Sequence, residues 1–179
     1  MPLPIGHTAV GLVAAETVQT THTTGSRLAQ FIFICVLANL PDIDTVFGLL
    51  IHGNGSIYHR GPTHSLLFAL LAGLAASQLW RLWRRIPRFG FQLCALLVFS
   101  HVASDMLLTS APVSLFWPLE SNAISGHSGW FQVINTVMFK SVQDLGIVVA
   151  AIAYLLVFRT VRSGRKMRVL AKAAKKRAK

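Results

Sequence analysis

Five apolar stretches separated by short polar connections constrain this chain more than any other feature. They run from about Ile5 to Gln19, Leu28 to Leu40, Pro62 to Trp83, Phe89 to Leu108 and Val142 to Phe158. A helix crossing the hydrocarbon of a bilayer needs ~20 apolar residues, within a range of ~17–25. The third, fourth and fifth stretches reach that length unaided. The first is rich in Ala, Gly and Thr, and the second, LAQFIFICVLANL, is stopped by Pro41; both read as half-buried or re-entrant. Backbone polar groups in lipid must be satisfied within the segment, which selects helices over open strands. The expected fold class is all-α: an integral membrane helical bundle of about four to five hydrophobic helices.

Charge sharpens this reading. Charged residues make up 13% of the chain, about half the share of a soluble domain. The net charge of +11 is concentrated at one end, because residues 159–179 hold ten Lys and Arg and no acid. The remainder carries seven basic and six acidic residues, a net +1. The chain therefore divides into a membrane-embedded helical domain, residues 1–158, and a basic tail, residues 159–179. A basic segment after an apolar one marks a cytoplasmic flank and attracts anionic lipid. Nucleic acid is the competing partner for such a tail. It is not expected here, since the tail has no aromatic side chain to stack on bases.

The loop RLWRRIPR, residues 81–88, carries four arginines and is read as cytoplasmic. Arg27, between the first two stretches, fits the same side, which puts the N-terminus outside. The start, MPLPIGHTAVG, shows no cleavable signal peptide. Cys35 and Cys94 lie in apolar stretches without a CxxC partner and read as buried free thiols. Between Thr109 and Ser141 a long mixed connection holds Trp117 and Trp130, suited to a membrane interface, and a short interfacial helix is expected near Gly129–Phe139.

This orientation has a consequence for the polar side chains, none of which was used to derive it. His7, Asp42 and Asp44, His59 and His64, and His101 and Asp105 all fall at the outer ends of their segments. In FSHVASDMLL, His101 and Asp105 are four apart and share a helix face. Such a pair either chelates a divalent metal or satisfies itself as a buried hydrogen-bonded pair. In NLPDIDTV, Asp42 and Asp44 supply hard oxygen ligands for Mg, Mn or Zn, or else a helix cap or turn. In HRGPTHS, His59 and His64 flank Arg60 and Pro62. Imidazoles ligate metals, and Arg60 with a helix N-terminus favours an anion such as phosphate. A His-rich interfacial loop is the plainer alternative. His7 in IGHTAVG reads alone as a packed or solvated histidine. Seven donors exceed what one zinc needs and suit one or two divalent ions.

GHTAVG, PDID, HRGPTHS and HVASD, in that order over about residues 5–120, resemble the YdjM-like family of LexA-regulated, membrane-bound metal-dependent hydrolases. The resemblance implies an integral protein of the bacterial inner membrane with a divalent-metal site. By motif it implies His7, Asp42, Asp44, His59, His64, His101 and Asp105 as ligands. Through HxxxD the family is also distantly similar to zinc-dependent phospholipases C, which points to phosphoester chemistry.

The leading expectation is thus a multi-pass hydrolase of the inner membrane, with its metal site on the periplasmic side and its tail in the cytoplasm. Metal-activated water would cleave a phosphoester or ester of a lipid-linked or phosphorylated substrate. Arg60 would neutralise developing charge, and Asp42 or Asp44, whichever is not a tight ligand, would act as general base. Glu120, in WPLESN, is a further candidate base or ligand, and His127 reads as a loop histidine. The alternative is a non-enzymatic membrane protein that binds or transports a metal ion. A structural membrane component with self-satisfied polar pairs is the third reading.

Overall fold

The computed structural model describes residues 3–18, 24–109, 112–120, 126–139 and 144–177. Among them the protein is all-α, with seven helices: α1 (Pro4–Val18), α2 (Arg27–Ala38), α3 (Ile43–His52), α4 (Leu66–Leu82), α5 (Phe91–Leu108), α6 (Trp130–Phe139) and α7 (Leu145–Arg177). Single 3-10 turns at Leu40–Asp42 and Pro62–His64 precede α3 and α4.

The local chemistry sets these boundaries. Ser26 caps α2 and Ser65 caps α4, their hydroxyls accepting from Ala29 N (3.2 Å) and Phe68 N (3.0 Å). Pro41 has no N–H to continue a helix, and α2 and α3 meet there at a bend of 54°. Gly53 ends α3 with φ of +66°, the left-handed conformation that costs glycine least.

At the centre lies α5, which packs on α1, α2 and α4. Its N-terminal half supplies Leu93, Cys94, Leu97 and Val98 to an apolar core with Phe33, Ile34 and Leu37 of α2. Small residues bring the helices together. A Cβ on Gly73 would lie 2.5 Å from Ala95 Cα, so α4 and α5 meet backbone to backbone. Gly11 of α1 meets Ala38 of α2 in the same way, at 2.8 Å from a Cβ.

The exterior is broadly apolar. Leu70, Leu71 and Leu74 on α4, and Val149, Ile152 and Leu156 on α7, are all exposed. That surface is at home in lipid and not in water. Two helical stretches are long and apolar enough to cross a membrane, Phe91–Leu108 and Leu145–Arg165, and α2 with α3 makes a third if the bent pair is one span.

The third apolar stretch differs from its expected span. The 3-10 turn takes up Pro62–His64 and leaves α4 only 17 residues, or ~25 Å of helix. Residues 159–177 continue α7 without a break. The α7 and α1 helices are pinned together by a two-pronged contact of Arg159 with Glu16, at 3.2 Å through Nε and through Nη2.

Candidate metal centre

Eight polar side chains from six parts of the chain meet at one end of α5. His7 comes from the first turns of α1, Asp42 from the 3-10 turn after Pro41, and Asp44 from the first turn of α3. His59 and Arg60 lie in the connection to α4, and His64 on the 3-10 turn before it. His101 and Asp105 project from α5. His7, His64, His101 and Asp105 are fully buried (0% exposed), and Asp44 and Arg60 nearly so. Three overlapping groups can each hold a metal ion: His7, His101 and Asp105; Asp42, His64 and His101; and Asp44, His59 and His64.

The PDID carboxylates are not spent on helix capping: neither the 3-10 turn nor α3 receives a side-chain cap. Asp44 is instead saturated by other donors. It accepts from Thr63 Oγ1 (2.6 Å), Arg60 N (3.2 Å), His59 Nδ1 (3.1 Å) and Thr45 Oγ1 (3.3 Å), and His64 Nδ1 stands 3.1 Å from it. The backbone at Arg60 makes this convergence. Its φ of +67° is left-handed, unusual for a residue with a side chain, and its carbonyl accepts from Ser114 N at 3.1 Å.

The hydrogen bonds around the rings fix which nitrogen faces the cluster. His101 Nδ1 donates to the Ala38 carbonyl at 2.8 Å, leaving Nε2 as the lone-pair nitrogen. Ser104 Oγ donates to the His101 carbonyl (2.8 Å), so toward His7 Nδ1, 2.9 Å away, it can only accept. His7 Nδ1 therefore carries the proton, and His7 Nε2 faces Asp105 Oδ1 at 3.6 Å. His7 and His101 stack, with centroids 3.6 Å apart. His64 is held through Nδ1 by Asp44, which turns its Nε2 inward. Burial works to lower the pKa of His64, but the neighbouring Asp42 and Asp44 carboxylates outweigh it and push it up to about 9.

His64 Nε2 lies 3.3 Å from His101 Nε2 and 3.7 Å from Asp42 Oδ1, and His101 Nε2 lies 3.4 Å from Asp42 Oδ1. Ligands ~2.1 Å from one ion at tetrahedral angles stand ~3.4 Å apart. Asp42 Oδ1 and both Asp105 oxygens are buried without a hydrogen-bond partner. Around Asp105 stand His7 Nε2 (3.6 Å), His64 Nε2 (3.7 Å) and Arg60 Nε (3.5 Å). Buried carboxylates left without hydrogen bonds are costly, and a cation among them removes that cost. The donor set fits a divalent ion.

All seven expected ligands, together with Arg60, are thus brought into one cluster. Glu120 is not: its carboxylate accepts from Phe116 N at 3.0 Å, and it belongs to none of the three groups. His127 is exposed and outside them as well. At the start of α4 two of the amides expected for an anion are already used, Leu66 N by Leu115 O and Phe68 N by Ser65 Oγ. Arg60 points its guanidinium at Asp105.

Asp144 escaped the sequence reading. This buried carboxylate, just before α7, accepts from Leu3 N (2.9 Å) and Gly6 N (2.7 Å) and so holds the start of α1, which carries His7. A Cβ on Gly6 would press on it at 3.0 Å. An acid inside an apolar stretch was the available signal, the same one that singles out Asp105.

No curated protein and no solved structure matches this chain. A family model described as YdjM inner membrane protein matches residues 1–171, nearly the whole chain and every residue of the cluster. The chain belongs to the YdjM inner membrane protein family.

Proposed function

We propose that the protein is a membrane-bound, metal-dependent hydrolase acting on a phosphoester or ester of a lipid-linked substrate. The observation that carries this reading is the convergence of lone-pair imidazole nitrogens on buried carboxylate oxygens beside a cavity bordered by Asp42 and His59. His64, His101 and Asp42 form the primary ligand set. His7 and Asp105 extend it toward a second ion. When bound, a divalent ion supplies a Lewis acid and makes hydroxide available near neutral pH.

The protein's own groups then divide the work. Asp44 orients the His59 and His64 rings and does not ligate, because its lone pairs are already taken by four donors. For the same reason it is a poor base. Asp42, a ligand in this arrangement, borders the cavity and would place the ion at its wall, so neither PDID carboxylate is left as a free base. Arg60 balances the Asp105 charge and favours negative charge developing nearby. Glu120 has no part in this arrangement.

A metal carrier is the second reading. Ion pathways need polar groups through the depth of the membrane, whereas the other half of α5 buries Leu93, Cys94, Leu97 and Val98. That contrast supports a site at one end. With the arginine loop and the tail in the cytoplasm, that end faces the periplasm.

The test is metal analysis of the purified chain in detergent, followed by assays on phospholipid and phosphomonoester substrates. The hydrolase reading expects bound metal and ester cleavage, both lost in His64→Ala. Metal without cleavage of any ester favours the carrier. A periplasm-dependent reporter fused after Lys179 should be inactive; activity there would invert the topology.

A further inference from the structure

A cavity of about 360 Å³ lies between α3 and α6, within the size range of small-molecule sites. Asp42 and His59 form part of its wall. Most of the remaining wall is apolar, from Val46 and Leu49 of α3 to Val133 and Val137 of α6.

The cavity side of α6 carries Trp130, Val133, Ile134 and Val137 at the spacing of an apolar helix face, with the polar Gln132 and Thr136 beside them. Yet α6 buries none of its residues, and Ile134 remains 55% exposed while lining the cavity. Its other side is apolar too, with Phe131 and Phe139 exposed at 78% and 74%. Apart from Gln132, Asn135 and Thr136, α6 carries apolar residues on both sides, and apolar surface of this extent is covered in the working protein. Lipid covers the outer side of such a helix in a bilayer. The inner side faces a space with polar metal donors at its wall.

We infer that this cavity is an acyl-chain site: it takes the apolar chain of an amphiphile whose ester or anionic group lies at Asp42 and His59. This rests on the hydrolase reading and narrows its substrate to lipids with a chain that enters the protein. Gly55 sets the width. A Cβ there would sit 2.9 Å from Thr45 Cγ2 and 3.3 Å from Val133 Cγ2.

The probe is a long-chain fatty-acyl diazirine, photolysed with the full-length protein in nanodiscs and mapped by mass spectrometry. Adducts are expected on α3 and α6, at Val46, Leu49, Val133 or Val137. Val133→Trp, which fills the space, should cut those adducts at least several-fold with metal content unchanged, and Val133→Ala should keep them. Unchanged labelling in Val133→Trp, or labelling confined to the outer face of α7, overturns the inference. So does a dimer that Val133→Trp dissociates, because a second copy is then the occupant. If wild-type protein binds no metal yet labels at α3 and α6, the hydrolase reading fails and the chain site stands. Metal with ester cleavage but no cavity adduct keeps the hydrolase reading and removes the chain site.

Discussion

The two halves of α5 are equally buried and held by opposite means. Toward its N-terminus, Cys94, Leu97 and Val98 are 0% exposed and touch side chains that need nothing from them but shape. Toward its C-terminus, His101 and Asp105 are also 0% exposed, but they face charges and lone pairs that need a counterpart. Burial alone therefore says little about what a position does. A close-packed apolar half is complete in itself. A half built from buried carboxylates and inward-facing imidazole nitrogens leaves Asp42 Oδ1 and both Asp105 oxygens without hydrogen bonds and offers groups that could hold a metal ion.

The most forceful way to break this comparison is Asp105→Ala. It leaves His7, Arg60 and His64 facing an empty position, and removing one partner of a buried charge cluster costs about 3–5 kcal/mol. Bound metal should fall sharply, together with thermal stability. Equal metal content would mean that the polar half is only another self-satisfied core.

In the apolar half, Gly73→Leu should destabilise by about 1–3 kcal/mol or more, because the backbone of Ala95 occupies the space a side chain would need. Metal per folded molecule should stay the same. If metal is lost in proportion to stability, the two halves are not separable.

Within the polar half, Asp44→Asn separates orienting from ligating. Loss of an outer-shell partner weakens metal binding about 10–100-fold. An isothermal titration showing wild-type affinity would remove Asp44 from the site altogether.

The pH response has opposite signs with and without metal. His64, raised to about 9, must release its proton before Nε2 can ligate. Apparent metal affinity should rise about tenfold per pH unit between about pH 7 and 9. In the metal-free protein the protonated His64 stabilises the fold through Asp42 and Asp44. That contribution is full below about 6.5 and lost as pH passes about 9. Thermal unfolding across this window should show metal-free protein weakening while metal-loaded protein gains.

The smallest effect belongs to Ser104→Ala. It frees His7 to adopt either tautomer and removes one hydrogen bond, worth about 0.5–1.5 kcal/mol. A few-fold loss of metal affinity, with Ser104→Ala adding nothing further in a His7→Ala background, would place Ser104 behind His7.

Much of this was legible in the residues. The span-length apolar stretches point to helices. Positive loops set one end against the other, and the motifs at the far end supplied His7, Asp42, Asp44, His59, His64, His101 and Asp105 before any distance was known. Glu120 could not be placed from the sequence, because a loop carboxylate near aromatic residues looks the same whether it faces a cluster or bonds a nearby amide, as it does with Phe116. Asp144 was passed over for the opposite reason: it stands alone in sequence, and its partners, Leu3 and Gly6, lie at the other end of the chain.

What the sequence determined by itself is therefore polarity and place: which segments are apolar enough to be helices in lipid, and which ends carry donors. Hydrophobic length and charge are properties of a segment, and they survive being read one residue after another. The division of labour inside the cluster is a property of angles. Asp42 and Asp44 are two residues apart and chemically identical. Only the bend at Pro41 and the left-handed turn at Arg60 surround Asp44 with four donors while leaving Asp42 Oδ1 without a hydrogen bond among three imidazoles. Hydrogen bonds are short and directional, so that difference exists only once the chain has closed on itself.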